Sequence, residues 1–135
     1  MKRAYPVIFT QTENVILIEV PDWKILTEGK DMVDAIEMAR DAIGVAGISK
    51  EDAGEEIPEA TEMLKIKEGT FTDEGKNFVS MVDIDFDVYR RKVDNKMVRR
   101  NVTIPNWLNL EAERADINVS KVLQEALMSK LNVSK

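Results

Sequence analysis

Cysteine and histidine are both absent from this chain of 135 residues. Without cysteine there is no disulfide, no thiolate metal site and no cysteine nucleophile. Without histidine there is no Ser-His-Asp triad, no His-ligated zinc and no use of the commonest general base. Chemistry on this chain would fall to carboxylates, lysine, serine or tyrosine. Long apolar runs are also missing, and nothing approaches the roughly 18 residues of a membrane span. The apolar stretch after Lys2 and Arg3 breaks at Gln11, Thr12 and Glu13, which does not make a signal peptide. A cytoplasmic protein with no membrane partner is expected. What the chain does contain is 44% hydrophobic and 33% charged residues. That is enough for a real core in one ordinary domain, or in a small domain with a dependent tail.

The charge is divided unevenly along the chain. Residues 1–89 carry 9 basic and 20 acidic residues, a net -11, whereas residues 90–135 carry 10 basic and 5 acidic ones, a net +5. An acidic body with a basic tail argues for two surfaces that meet different partners.

Residues 3–10 and 14–20 read as two strands joined by the short polar linker Gln11-Thr12-Glu13, a hairpin. Pro6 suits an edge strand, and the unbroken apolar run Val15–Ile18 suggests that both faces of the second strand are covered. A short third strand is expected around Ile25-Leu26-Thr27. Asp31 has the position of a helix N-cap, with Asp34 in the favourable first turn. Val33, Ile36, Ala39, Ala42 and Ile43 then share one helical face over 32–43, with Gly44 or Gly47 available as a stop. Residues 48–77 hold many acids and little periodicity, apart from a short helix over 59–64. Residues 78–89 alternate cleanly, with Val82, Ile84, Phe86 and Val88 on one face and Met81, Asp83, Asp85, Asp87 and Tyr89 on the other. This predicts one long strand. The fold class is therefore α+β, a small sheet with one packed helix over residues 1–90.

A basic hinge at 91–96 leads into a different grammar over 97–135. Residues 97–104 read as a short strand, Pro105 suits the first turn of a helix, and Asn118 can cap a second helix after a turn at Asp116-Ile117. Val119, Val122, Leu123, Ala126, Leu127 and Leu131 form an apolar stripe. About 40 residues without a metal or disulfide rarely fold alone, and a lone strand leaves its backbone groups unpaired. Two copies resolve both deficits: their strands pair antiparallel and four helices interlock, a ribbon-helix-helix whose ribbon fits the DNA major groove. With Val102 and Ile104 turned to the helices, Arg99, Asn101 and Thr103 face outward. Arg can take guanine bidentately, Asn adenine, and Thr a base edge or a thymine methyl. The start of the second helix, Asn118, Val119, Ser120 and Lys121, offers N–H groups and positive dipole to a phosphate. Arg100 lies on the inward side of the pleat. Trp107 reads as a core or dimer anchor.

These stretches resemble the HicB antitoxins of HicA/HicB toxin–antitoxin systems, in the subgroup with a ribbon-helix-helix tail. The resemblance rests chiefly on Val98-Arg-Arg-Asn-Val-Thr-Ile-Pro-Asn-Trp-Leu108 and Asn118-Val-Ser-Lys-Val-Leu-Gln-Glu-Ala-Leu127. Tyr5-Pro-Val-Ile-Phe-Thr10, Pro21-Asp22, Asp34-Ala-Ile-Glu-Met-Ala39, Ile57-Pro58 and Tyr89-Arg-Arg91 support it. It departs at Trp23-Lys24-Ile25-Leu26, where many members carry a Leu-Pro-Gly-Cys-type turn. The resemblance implies a partial RNase H-like body that neutralises a small basic mRNA-cleaving toxin. It also implies a tail that represses its own operon as a homodimer or larger assembly on double-stranded operator DNA, with no cofactor and no catalytic residue. A solitary regulator without a toxin is one alternative. Another is a metal-dependent RNase H-like nuclease using Asp83 and Asp85, with Glu19 as a further acid. On one strand, alternate α-carbons lie about 6.6 Å apart and the outer pair of Asp83, Asp85 and Asp87 about 13 Å. All three therefore cannot share one magnesium ion, and no metal site is expected.

Overall fold

The structure, a computed structural model, describes residues 1–66 and 68–134. The chain divides into two compact units, Met1–Asp94 and Asn95–Lys135.

The first unit is a four-stranded antiparallel sheet with a long helix on one face. Strands β1 (Lys2–Gln11) and β2 (Ile16–Val20) form the expected hairpin, closed by Thr12, whose N–H donates to the Val15 carbonyl at 3.0 Å. A 3-10 turn at Pro21–Trp23, ending on left-handed Lys24, leads into β3 (Ile25–Gly29). Helix α1 spans Met32–Asp52, and β4 (Lys76–Asp85) returns beside β1 to give the order β3-β2-β1-β4. Pro6 therefore lies in an inner strand and not at an edge. It is tolerated because β2 pairs with β1 only from Ile8 to Gln11, so Pro6 falls where β1 has no neighbour on that side.

Tyr5, Val7, Phe9, Ile16, Ile18, Val20, Val82 and Ile84 turn inward and meet Ala35, Ala39 and Ile43 of α1. Trp23 joins this core, edge-on to Tyr5 at 5.5 Å between ring centroids and 6.1 Å from Phe86.

Helix α1 begins as its sequence predicts. Asp31 accepts from the Asp34 N–H and Asp34 accepts from the Lys30 N–H, each at 2.8 Å, which satisfies one first-turn donor and the N–H just before the cap. It does not stop at Gly44 or Gly47 but runs on to Asp52. Gly54, at φ +71°, supplies the left-handed residue, and the Glu55 N–H closes on the Lys50 carbonyl at 2.9 Å. Gly44 and Gly47 serve packing instead. A Cβ at Gly44 would lie 2.7 Å from the Tyr89 ring, and one at Gly47 would collide with the edge of the Phe86 ring.

Those two rings belong to a helix where the alternation predicts a strand. After Asp85 the chain forms α2 (Phe86–Val93), because the Asp85 carboxylate accepts from the Asp87 and Val88 N–H groups and caps a new helix. The Val88 amide bond is the main reason the Asp85 carboxyl sits below its ordinary pKa. Phe86 still points inward, which is why the period-2 pattern holds up to that residue, whereas Val88 is exposed. Arg91, Lys92 and Val93 of the expected hinge are the last turn of α2.

Residues 53–66 and 68–75 have little regular structure but are anchored at several points, with 3-10 turns at Met63–Lys65 and Thr72–Glu74 in place of a helix over 59–64. The Pro58 carbonyl accepts from Tyr5 Oη at 2.8 Å, Asp22 takes the Thr61 N–H at 2.9 Å, and Glu19 takes the Thr70 N–H at 2.7 Å. Glu19 is on the sheet face opposite the inward Ile18 and Val20. The segment therefore starts beside the core and ends on the far face, at Glu19 of β2.

The chain's two tyrosines, Tyr5 and Tyr89, are both held above the ordinary tyrosine pKa, chiefly by burial. For Tyr89, whose hydroxyl donates to Asp41, the value is pushed up to about 12. A raised folded pKa stabilises the fold fully below the unfolded value near 10, and that contribution is lost as pH rises from there through the folded value. Tyr89 should therefore stay protonated at pH 10 in the folded protein, and the tyrosinate absorbance step there should be smaller than that of two free tyrosines. A full step at pH 10 before unfolding would contradict this packing.

The second unit carries α3 (Asn106–Arg114) and α4 (Val119–Leu131). Pro105 caps α3, its carbonyl accepting from the Leu108 and Asn109 N–H groups at 3.1 Å. The turn after α3 uses left-handed Asp116, with the Ile117 N–H reaching back to Ala112 at 3.1 Å. Residues 94–105 form no strand within one chain.

Candidate functional site

The tail unit has a feature that its sequence alone does not display. None of residues 95–134 is buried. Its apolar side chains nonetheless line up on the two helices: Trp107 and Leu131 are each 67% exposed, and Val122 and Leu127 each 50%. Val102 and Ile104, expected on the inner face of a ribbon, are exposed as well. Covering each such side chain is worth about 1.5–3 kcal/mol. This unit therefore has the apolar surface of a core, and none of its described residues is buried.

Arg99, Asn101 and Thr103 lie in the segment before α3 and are all exposed. No strand ladder holds that segment within one chain, so the alternation that would turn these side chains the same way has nothing to act on without a second strand. The other group of expected site residues is assembled in the single chain. Asn118 caps α4, its Oδ1 accepting from the Lys121 N–H at 3.1 Å. The cap occupies the Lys121 amide, which leaves the Val119 and Ser120 amides and the Lys121 ammonium at the positive end of the helix dipole.

The acids considered for a metal site, Asp83, Asp85 and Glu19, do not converge on one another. Asp83 bonds Arg40 at 3.0 Å, Asp85 caps α2, and Glu19 anchors Thr70. Among the described residues no group of three or more carboxylates is placed to hold a metal ion. A different cluster emerges at the end of the body, where Arg90 donates at 2.9 Å to both Glu51 and Asp52 and at 3.3 Å to Asp94. These bonds hold the Arg90 guanidinium firmly protonated and tie α2 to the last turn of α1. Nothing in the sequence marks Arg90 apart from Arg91 and Lys92, because the tie depends on α1 running eight residues past its first glycine. On the outer face of α1, Asp34, Glu37, Met38, Arg40 and Asp41, with Lys92 of α2, line a shallow depression of 480 Å³. Val33 and Val45 stand exposed on the same helix.

No family model matches the sequence, and no curated protein matches it. The fold is similar to that of a chain in a solved toxin–antitoxin complex from Streptococcus pneumoniae. The TM-score is 0.62 at 20% identity, covering 96% of this chain and 99% of that one. The crystal structure of the Burkholderia pseudomallei antitoxin HicB matches with a TM-score of 0.48 at 21% identity, covering 98% of each chain. Among the described residues no helix is long and apolar enough to cross a membrane.

Proposed function

We propose that this chain is the antitoxin of a HicA/HicB-type toxin–antitoxin pair, with a body that neutralises a small basic RNA-cleaving toxin and a tail that represses its own operon as a dimer. The observation that carries the reading is the coreless tail. A unit with 7 basic and 4 acidic residues and an uncovered apolar stripe on both helices needs a second copy of itself to fold around. Pairing the two 97–104 segments would supply the missing strand partner and turn Arg99, Asn101 and Thr103 of both copies into one major groove. The fold shared with a chain of a toxin–antitoxin complex supports the toxin partner. So does the charge of the body, which over residues 1–94 has 12 basic and 21 acidic residues, a net -9. An RNA-binding toxin is basic and would be steered toward that surface.

Co-expression of the tagged chain with the gene beside it is the direct test. A stoichiometric small basic protein that regains its RNase activity when the chain is removed is expected. Recovery of the chain alone, under conditions where it still binds DNA, would favour a solitary regulator.

The two groups of tail residues should respond differently. Arg99→Ala is expected to lose about 1–3 kcal/mol on the operator and to relax specificity at one base position. Lys121→Ala should weaken binding about equally on every sequence and reduce the salt slope by about 1. Anisotropy titrations on operator and scrambled duplexes at three salt concentrations separate the two. Identical behaviour of both variants would remove the division into base and phosphate contacts.

A further inference from the structure

We propose that the outer edge of β4 is a second self-association surface, on which β4 of another copy pairs antiparallel so that two bodies share one eight-stranded sheet. Both β3 and β4 are edge strands, but they differ. β3 has five residues, whereas β4 has ten and exposes Phe78 and Met81, at 44% and 43%. A long edge strand with exposed apolar side chains is a template for further pairing. Among the described residues, the bond that reaches its outer backbone is from Arg40 Nε to the Asp83 carbonyl, at 2.9 Å. That bond shows which residues point outward. Backbone groups alternate sides along an antiparallel strand, so Asn77, Val79, Met81 and Asp83 direct theirs away from β1.

The occupant is identified by the strand's complementarity to itself. A two-fold axis through Ser80 sets Val79 opposite Met81 of the other copy, able to exchange both backbone bonds, and Asn77 opposite Asp83, where Arg40 must release the Asp83 carbonyl or share it. The same axis sets Phe78 opposite Val82, an aromatic–β-branched pair of the favoured kind. Every pair joins residues of the same parity, so the helix-covered faces of both bodies stay on one side of the joined sheet. Lys76 at one end of β4 also comes beside the Asp83–Asp85 end of its partner. Two bodies of net -9 repel one another, so the pairing should strengthen as salt rises, opposite to DNA binding by the tail.

The absence of cysteine makes the surface directly testable in the full chain. Ser80 is exposed and would face its own copy across a non-hydrogen-bonded pair, with α-carbons about 4.5 Å apart, within the range a disulfide spans. Under mild oxidant, most of a Ser80→Cys chain should become a covalent dimer, while Leu26→Cys on the β3 edge should link far less. Equal linking of the two would overturn the proposal. Met81→Pro removes an outward N–H without removing a bond to β1, and should halve the sedimenting mass at high salt. If Met81→Pro is folded and sediments like the wild type, the β4 pairing is excluded. If it does not fold, the cross-linking comparison decides. Neither readout involves a toxin or DNA, so either can fail while the antitoxin reading stands.

Discussion

Leu127→Glu is expected to halve the mass of the assembly and to lower operator affinity by at least 100-fold. Leu127 is half exposed in one chain and sits in the middle of the α4 stripe. If the unit were self-sufficient, a glutamate there would be harmless, because exposed helix positions accept Glu readily. If two copies interlock over that stripe, the substitution buries a carboxylate in an apolar contact, which costs several kcal/mol per copy. DNA binding falls with it, since one tail offers half the readers and no ribbon to orient them. Sedimentation and operator anisotropy on the same sample check both effects. A Leu127→Glu protein of unchanged mass would show that the tail is covered in some other way.

The second large effect reverses an ordinary rule. Gly→Ala inside a helix normally stabilises by up to about 1 kcal/mol. Gly47→Ala should instead destabilise the body by about 2 kcal/mol, because the new methyl would occupy the space of the Phe86 ring, which is 1% exposed and cannot swing away. Phe86→Ala alone should cost about 3–5 kcal/mol. The decisive measurement is the double variant in urea denaturation. With the ring gone, Gly47→Ala should recover its usual stabilising sign, giving a strong coupling between the two sites. Additive losses would mean that the glycine is conserving backbone shape and not making room for the ring.

Much of this architecture can be read from the residues in order, because it is local. The hairpin follows from two apolar runs around a polar linker. The start of α1 follows from Asp31 and Asp34, and the start of α4 from Asn118. The turn at Asp116-Ile117 and the apolar stripe on α4 are likewise set by neighbours within a few positions. The same locality made the acidic body and basic tail visible from counting alone.

Tertiary contacts decided the remainder. Two glycines that could end a helix continue it, since the rings of Tyr89 and Phe86, 45 and 39 positions later, need the room. An alternating run that reads as strand through Tyr89 turns helical at Phe86, because Asp85 caps a helix that Gly44 and Gly47 are shaped to receive. Glu19, readable as a metal ligand, is instead the anchor of a loop 51 positions away. The tail is the converse case. Its sequence specifies two capped helices and an apolar stripe, but a single chain buries none of those side chains fully. Helix ends depend on near neighbours and can be read along the chain. A core depends on what lies opposite, and for this tail that is not supplied by the chain itself.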